Sequence, residues 1–184
     1  IDGKEFGYEV NNASISYSNG DGIIYNSSKC LMIIPNEQLR CKVPQGVGRG
    51  HILKVVIDTG NNVWSSTADF LISYAPPSIV SIKINSKIPT NGNTIVTLTG
   101  FNFGPLKGFR YGESDLLTDV VTVYYGRTLT NPEEFECKNA NVTSTGRIVK
   151  CFTSEGVGNV FFWKIIVGIK PQNLPFSQES NILY

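Results

Sequence analysis

The chain has 184 residues, of which 17% are charged, and sixteen Lys and Arg against fifteen Asp and Glu leave a formal net charge of +1. That balance provides no basic stripe for nucleic acid. No apolar run reaches the roughly 20 residues of a membrane helix, and no charged start leads into an apolar core as in a signal peptide.

Taken from the N-terminus, Ile1-Asp2-Gly3-Lys4-Glu5-Phe6-Gly7 is followed by two sequons, Asn12-Ala13-Ser14 and Asn26-Ser27-Ser28. Between them, Asn19-Gly20-Asp21-Gly22 reads as a tight hairpin turn, and its single carboxylate, Asp21, is too little for a calcium cage. Cys30 and Cys41 bracket a short hairpin-like segment. Gly46-Val47-Gly48-Arg49-Gly50 is glycine-rich, but a phosphate-binding loop needs a helix after it and here a strand is predicted. His51 is expected as an exposed or half-buried strand residue, because no Gly-x-Ser-x-Gly elbow exists to supply a serine for it. Asp58-Thr59-Gly60 resembles the active-site strand of aspartic proteases, which need two aspartates sharing a proton. Only one such motif occurs, and Asp-Thr-Gly-Asn-Asn is ordinary turn chemistry between two strands.

Ala75-Pro76-Pro77 is a short, stiff join. Beyond it, Ser78 to Asn85 alternates in part, Ile88 to Asn93 is a turn, and Thr94 to Thr99 alternates again. Segments Val120–Tyr125, Ile148–Phe152 and Val160–Val167 are rich in β-branched and aromatic residues, and Ile182–Tyr184 closes the chain. No stretch carries a 3.6-residue period. Regular short strands of this kind point to antiparallel β-sandwiches.

The chain is also a tandem repeat. Cys41 to Tyr74 aligns with Cys151 to Tyr184 without a gap at an offset of 110 residues, pairing Gly46-Val47-Gly48 with Gly156-Val157-Gly158 and Lys54 with Lys164. Upstream, Ile1–Gly7 matches Leu98–Gly104, and Cys30 matches Cys137. The domains expected are therefore 1–75 and 76–184, with the first lacking its opening strand and most of its second. On this reading the repeats continue beyond both ends. Gly3, Gly7, Gly100 and Gly104 are expected to supply turn geometry, with Phe6 and Phe103 plugging the ends of the sandwiches. The second copy has Gly168-Ile169-Lys170 where the first has Asp58-Thr59-Gly60, so the repeat cannot assemble a catalytic dyad.

The four cysteines fall two to each copy, Cys30 with Cys41 and Cys137 with Cys151, which predicts one disulfide per repeat. Zinc is opposed by the lack of C-x-x-C and by the solitary His51; free buried thiols are the other alternative. The sequons at Asn12, Asn26 and Asn141 agree with an oxidising compartment and N-glycans.

Pro77-Ser78-Ile79-Val80-Ser81-Ile82, Pro89-Thr90-Asn91-Gly92 and Ile95–Gly104, in that order, resemble the opening of an IPT/TIG domain. The cysteine pair and the Gly-x-Gly before a long strand are similar to the same family. The resemblance implies two tandem immunoglobulin-like sandwiches of the E-set type. Tandem, cysteine-bearing modules with sequons resemble receptor ectodomains of the plexin and Met kind. The abundance of Ile and Asn is similar to the Tgr family of adhesion and allorecognition receptors of social amoebae. What this implies is an extracellular recognition module of a membrane-anchored protein. Its partner would be another cell-surface protein or neighbouring repeats of the same chain, with no cofactor, metal, nucleic acid or membrane contact of its own, and no enzymatic role. The alternative is a spacer or filament-building repeat without a ligand.

The copies differ most between Gly104 and the cysteine pair, where the second is longer by material drawn from residues 105–117. Phe109, Arg110 and Tyr111 have hot-spot chemistry and are candidate partner-binding residues; the alternative is a loop covering its own sandwich edge. Phe161-Phe162-Trp163 must place aromatics on both faces of a strand. Trp163 is thus a further partner-binding candidate, against the alternative of packing between domains.

Overall fold

The computed structural model describes residues 1–7, 13–20, 23–27, 30–106, 120–144, 146–168 and 178–183, and every regular element among them is a strand. In the first part of the chain, β1 (Ala13–Ser18), β2 (Tyr25–Ser27), β5 (His51–Asp58) and β6 (Val63–Ile72) form an antiparallel sheet in the order β2-β1-β5-β6. A separate hairpin, β3 (Cys30–Ile34) with β4 (Gln38–Cys41), lies against it and carries a disulfide between the directly opposed Cys30 and Cys41.

The remaining strands are β7 (Ser78–Ile84), β8 (Ile95–Phe101), β9 (Val121–Gly126), β10 (Phe135–Ser144), β11 (Ile148–Phe152), β12 (Phe162–Val167) and β13 (Gln178–Leu183). They join in one antiparallel ladder, β13-β12-β9-β10-β11-β8-β7, whose two ends approach each other, so the sheet nearly closes. The strand that makes this possible is β10. Its first residues, Phe135–Cys137, pair with β9, while Lys138–Ser144 pair with β11 across register shifts. Asn139 sits at the bend in a left-handed conformation, φ 56°. Such a bulge turns a strand from one sheet direction to another. The sequence reading placed no strand here, because Glu136, Lys138, Asn139 and Asn141 dilute the alternation that marks a strand.

Each part has its own core. Val96, Leu98, Phe103, Val123, Val149, Trp163 and Ile165 are the centre of the larger one; Ala13, Ile15, Tyr17, Tyr25, Leu39 and Leu53 are the centre of the smaller. Alternation explains the sides: in β8 Val96 and Leu98 point in while Ile95 and Thr99 point out. The Cys137–Cys151 disulfide is buried in the larger core, closing a sequence separation of 14.

The duplication is visible in hydrogen bonds as well as in sequence. Gly3 N donates to Glu37 O as Gly100 N does to Arg147 O, and Phe6 N donates to Asn36 O as Phe103 N does to Gly146 O. Asn36 N donates to Gly7 O, and Gly146 N to Gly104 O. Backbone angles repeat too: φ is 86° at Gly7 and 85° at Gly104, and 65° at both Asn36 and Gly146. Phe103 is buried as expected of a plug, whereas Phe6 is only half-buried.

Replacing Cys137 and Cys151 by serine is expected to destabilise the larger body by about 3 kcal/mol, the chain-entropy value for a loop of this length. Chemical denaturation followed by the fluorescence of the buried Trp163 measures it.

Candidate functional site

A group of rings in the smaller body holds the loop that reaches the larger one. Tyr17 and Tyr25 stack with centroids 5.1 Å apart, and Tyr74 and His51 close the group, with His51 edge-on to both Tyr25 and Tyr74 at 5.3 and 5.8 Å. The phenol of Tyr25 donates to Val47 O at 3.0 Å and accepts from Val47 N at 3.1 Å. Tyr74 donates to Pro44 O at 3.0 Å, and its hydroxyl lies 2.6 Å from that of Tyr17. His51 Nε2 lies 3.2 Å from Val47 O. The histidine is therefore fully buried, not exposed or half-buried as the sequence suggested. Its place in the ring group, where the matching residue is Phe161, accounts for the difference: an aromatic ring is what the position requires.

These contacts hold the Gly46-Val47-Gly48 loop, and the loop in turn joins the bodies. Val47 is 2% exposed and belongs to the core of the larger body, not to its own. It packs on Gly104, where a Cβ would stand 2.9 Å from Val47 Cγ1 and within contact of Val167 and Val120. Any side chain at Gly104 would displace the valine, and its φ of 85° also favours glycine.

Burial raises the phenol pKa of Tyr17 above the ordinary 10.0, with the bond to Tyr74 pulling part of the way back. Tyr125 is raised by burial too, offset by its bond to the backbone of Ser154. Both rings fold in the neutral form, so the stability they contribute is complete below the unfolded-state value and is lost as pH rises through the folded one.

A second surface is open. β6 is an edge of its sheet, and its inner face is incompletely covered. Trp64 lines a cleft with Phe6, Val55 and Ile57, yet is 67% exposed; Phe70 lines another with Ile15, Leu39 and Leu53, yet is 53% exposed. These side chains face the side on which the core lies, and among the described residues no strand stands over them. In the larger body the last strand, β13, has β7 beside it; β6 has no counterpart of β7 among the described residues. The sequence reading, in which the first copy lacks its opening strands, implies an open edge in this body, but it did not single out Trp64 or Phe70.

Of the residues singled out from sequence, Trp163 is 1% exposed and stacks on Tyr125 at 4.8 Å, so it is a core residue and not a partner-binding one. Phe161 and Phe162 are half-buried, and Phe161 packs edge-on against Tyr125. Phe109, Arg110 and Tyr111 lie outside the described residues, as does Asn12. Asn26 is exposed on β2, while Asn141 on β10 is half-buried with its Oδ1 turned inward. Asp58-Thr59-Gly60 forms the β5–β6 hairpin turn: Gly60 N donates to Asp58 Oδ1 at 2.7 Å, and Thr59 N to Asn62 O at 3.0 Å. Among the described residues, no group of three or more His, Cys, Asp or Glu is placed to hold a metal. The two disulfides fit an oxidising compartment.

No protein-family model matches the chain, and no match was found among curated proteins or solved structures.

Two outcomes follow from the join. Val47→Asp would place a charge in an apolar socket; nitrogen-15 relaxation is expected to give one tumbling time for both bodies in the native chain and two in the variant. Alkaline titration should show stability falling above about pH 10, in step with delayed phenolate absorption from Tyr17 and Tyr125.

Proposed function

We propose that the chain consists of two immunoglobulin-like modules of the IPT/TIG kind, residues 1–75 and 76–184, which act outside the cell by non-covalent recognition of another protein. The parent would be a membrane-anchored receptor serving cell adhesion or self-recognition. Support for the fold comes from the motif order and from β10, which divides the larger body into β7-β8-β11 with one part of β10 and β9-β12-β13 with the other. Support for the compartment comes from the disulfides and from the exposed sequon at Asn26.

The observation that carries recognition is the uncovered inner face of β6. An edge strand offers unpaired backbone groups, and beside it Trp64 and Phe70 offer apolar anchors of the type that dominates binding energy. Together they suit an extended segment of a partner, paired along the strand with side chains entering the clefts. The apolar area exposed here is the kind that soluble proteins reserve for interaction. Specific chemistry is not needed; geometry and desolvation suffice.

The spacer reading has one observation in its favour, the Val47 interlock, which holds successive bodies in one fixed arrangement. The two readings differ in outcome. Soluble chain added to cells that display the protein should reduce their aggregation, and the Trp64→Ser/Phe70→Ser chain, checked for native melting, should lose most of that effect. No reduction by the intact chain would leave the spacer.

A further inference from the structure

The sheet of the larger body has a second face, turned away from its core. Val96 and Leu98 on β8 and Val149 and Cys151 on β11 point inward, so Ile95, Thr97 and Thr99 and then Ile148, Lys150 and Phe152 point out. The ladder sets these residues in rows. Lys83 on β7 and Lys150 on β11 both stand opposite Thr97, one on either side, and Asn141 on β10 stands opposite Lys150. In the row toward the start of β8, Ile95 opposes Phe152, which opposes Lys138. In the row on the other side, Thr99 lies between Ser81 and Ile148. Beyond it Arg147 lays its guanidinium over the Phe101 ring, 4.1 Å from the centroid.

Lys83, Lys138, Arg147 and Lys150 thus share one face, and all are exposed. Strand spacing puts the backbones of Lys83 and Lys150 about 10 Å apart, and Arg147 to Phe152 spans roughly 17 Å along β11. β7, β8 and β11 contain no Asp or Glu. Glu136 lies on the part of β10 that pairs with β9, and Glu155 lies in the loop after β11. The ion pairs found among the described residues, Arg127–Glu134 and Lys164–Glu133, use none of the four cations. Their field is therefore available to an anion from outside. Because the four are scattered between positions 83 and 150, no basic run marks them in the sequence; strand order collects them.

We propose that this face binds a linear acidic polysaccharide, whose carboxylate or sulfate groups meet Lys83, Lys138, Arg147 and Lys150. The chemistry of the face selects that occupant. β8 and β11 are interior strands, so their backbone groups are already paired and a peptide cannot add to them as a further strand. Recognition falls to side chains. Ser81, Thr97 and Thr99 place hydroxyls among the cations, able to donate to and accept from sugar hydroxyls. Ile95 and Phe152 offer apolar surface to the C–H faces of sugar rings. A protein partner seats anchors in pockets, and the clefts described above lie on the smaller body. This site is separate from the β6 face, so the two can fail independently.

Heparin, which is sulfated, and polygalacturonate, which is carboxylated, are the probes, titrated by calorimetry into the full chain at about 50 to 200 mM salt. At least one is expected to bind, and which one binds identifies the acid group. For four neutralised cations, log affinity should fall against log salt with a slope of roughly −3 to −4. Lys83→Gln/Lys150→Gln should halve that slope and weaken binding about tenfold or more. Lys42→Gln/Lys54→Gln, which removes the same charge from exposed positions of the smaller body, should change neither. All four lysines are exposed, so the variants keep their fold, which unchanged amide spectra verify. An Asn141→Gln chain is measured alongside, since a glycan at that sequon would stand beside Lys150. Polyglutamate of equal charge should bind at least about tenfold more weakly than the better polysaccharide. The proposal is overturned if neither probe binds the native or the Asn141→Gln chain, if both lysine variants lose affinity alike, or if polyglutamate binds as tightly.

Discussion

Each body is organised around a tyrosine hydroxyl that must be satisfied away from water. In the first, Tyr25 exchanges two hydrogen bonds with the backbone of Val47; in the second, Tyr125 donates to Ser154 O at 3.1 Å and accepts from Ser154 N at 2.9 Å. A buried phenol without a partner would cost on the order of 1 to 3 kcal/mol, and so would the loop backbone it serves. The pairing relieves both at once. It also fixes the loop before β5 or β12 against the ring layer, which decides where the glycines lie and hence which way the valine between them points. The seating of Val47 in the larger core depends on the first of these arrangements.

Much of the fold was legible because the chain states it twice. The offset between copies locates the disulfides and the strand after each Gly-Val-Gly loop, and Ile148–Phe152 is found at its observed bounds. What escaped was whatever depends on neighbours. β10 has too many polar residues to alternate, since it is bent and shared between two partners, and a bent strand does not present one regular face. His51 looked polar and therefore exposed, but a ring at that place is packing material, with its nitrogen meeting a carbonyl. Trp163 belongs to an aromatic run that must place side chains on both faces; sequence alone does not say which face is the core.

The two copies also show how far similar strands can diverge in use. β5 and β12 have matching positions along their length, but β12 is enclosed by β9 and β13, while the strand beside β5 is an uncovered edge. The sheet of the second body closes nearly on itself and so removes its own edges, which is one way a β protein avoids pairing with others. The first body does not. Its exposed Trp64 and Phe70 are what an open sheet leaves when its second layer is a short hairpin with the segment Ile1–Gly7. Among the described residues, an apolar face is exposed because the layer over β6 covers only part of it.

Val47 and Val157 make the more general point. They are the same residue between the same two glycines over equivalent rings, although Tyr25 and His51 bond the backbone of Val47 and Phe135 and Phe161 have no polar atom to do the same. One is core and the other is surface because a socket stands opposite the first. Burial here is a property of the pair formed by a loop and the module facing it.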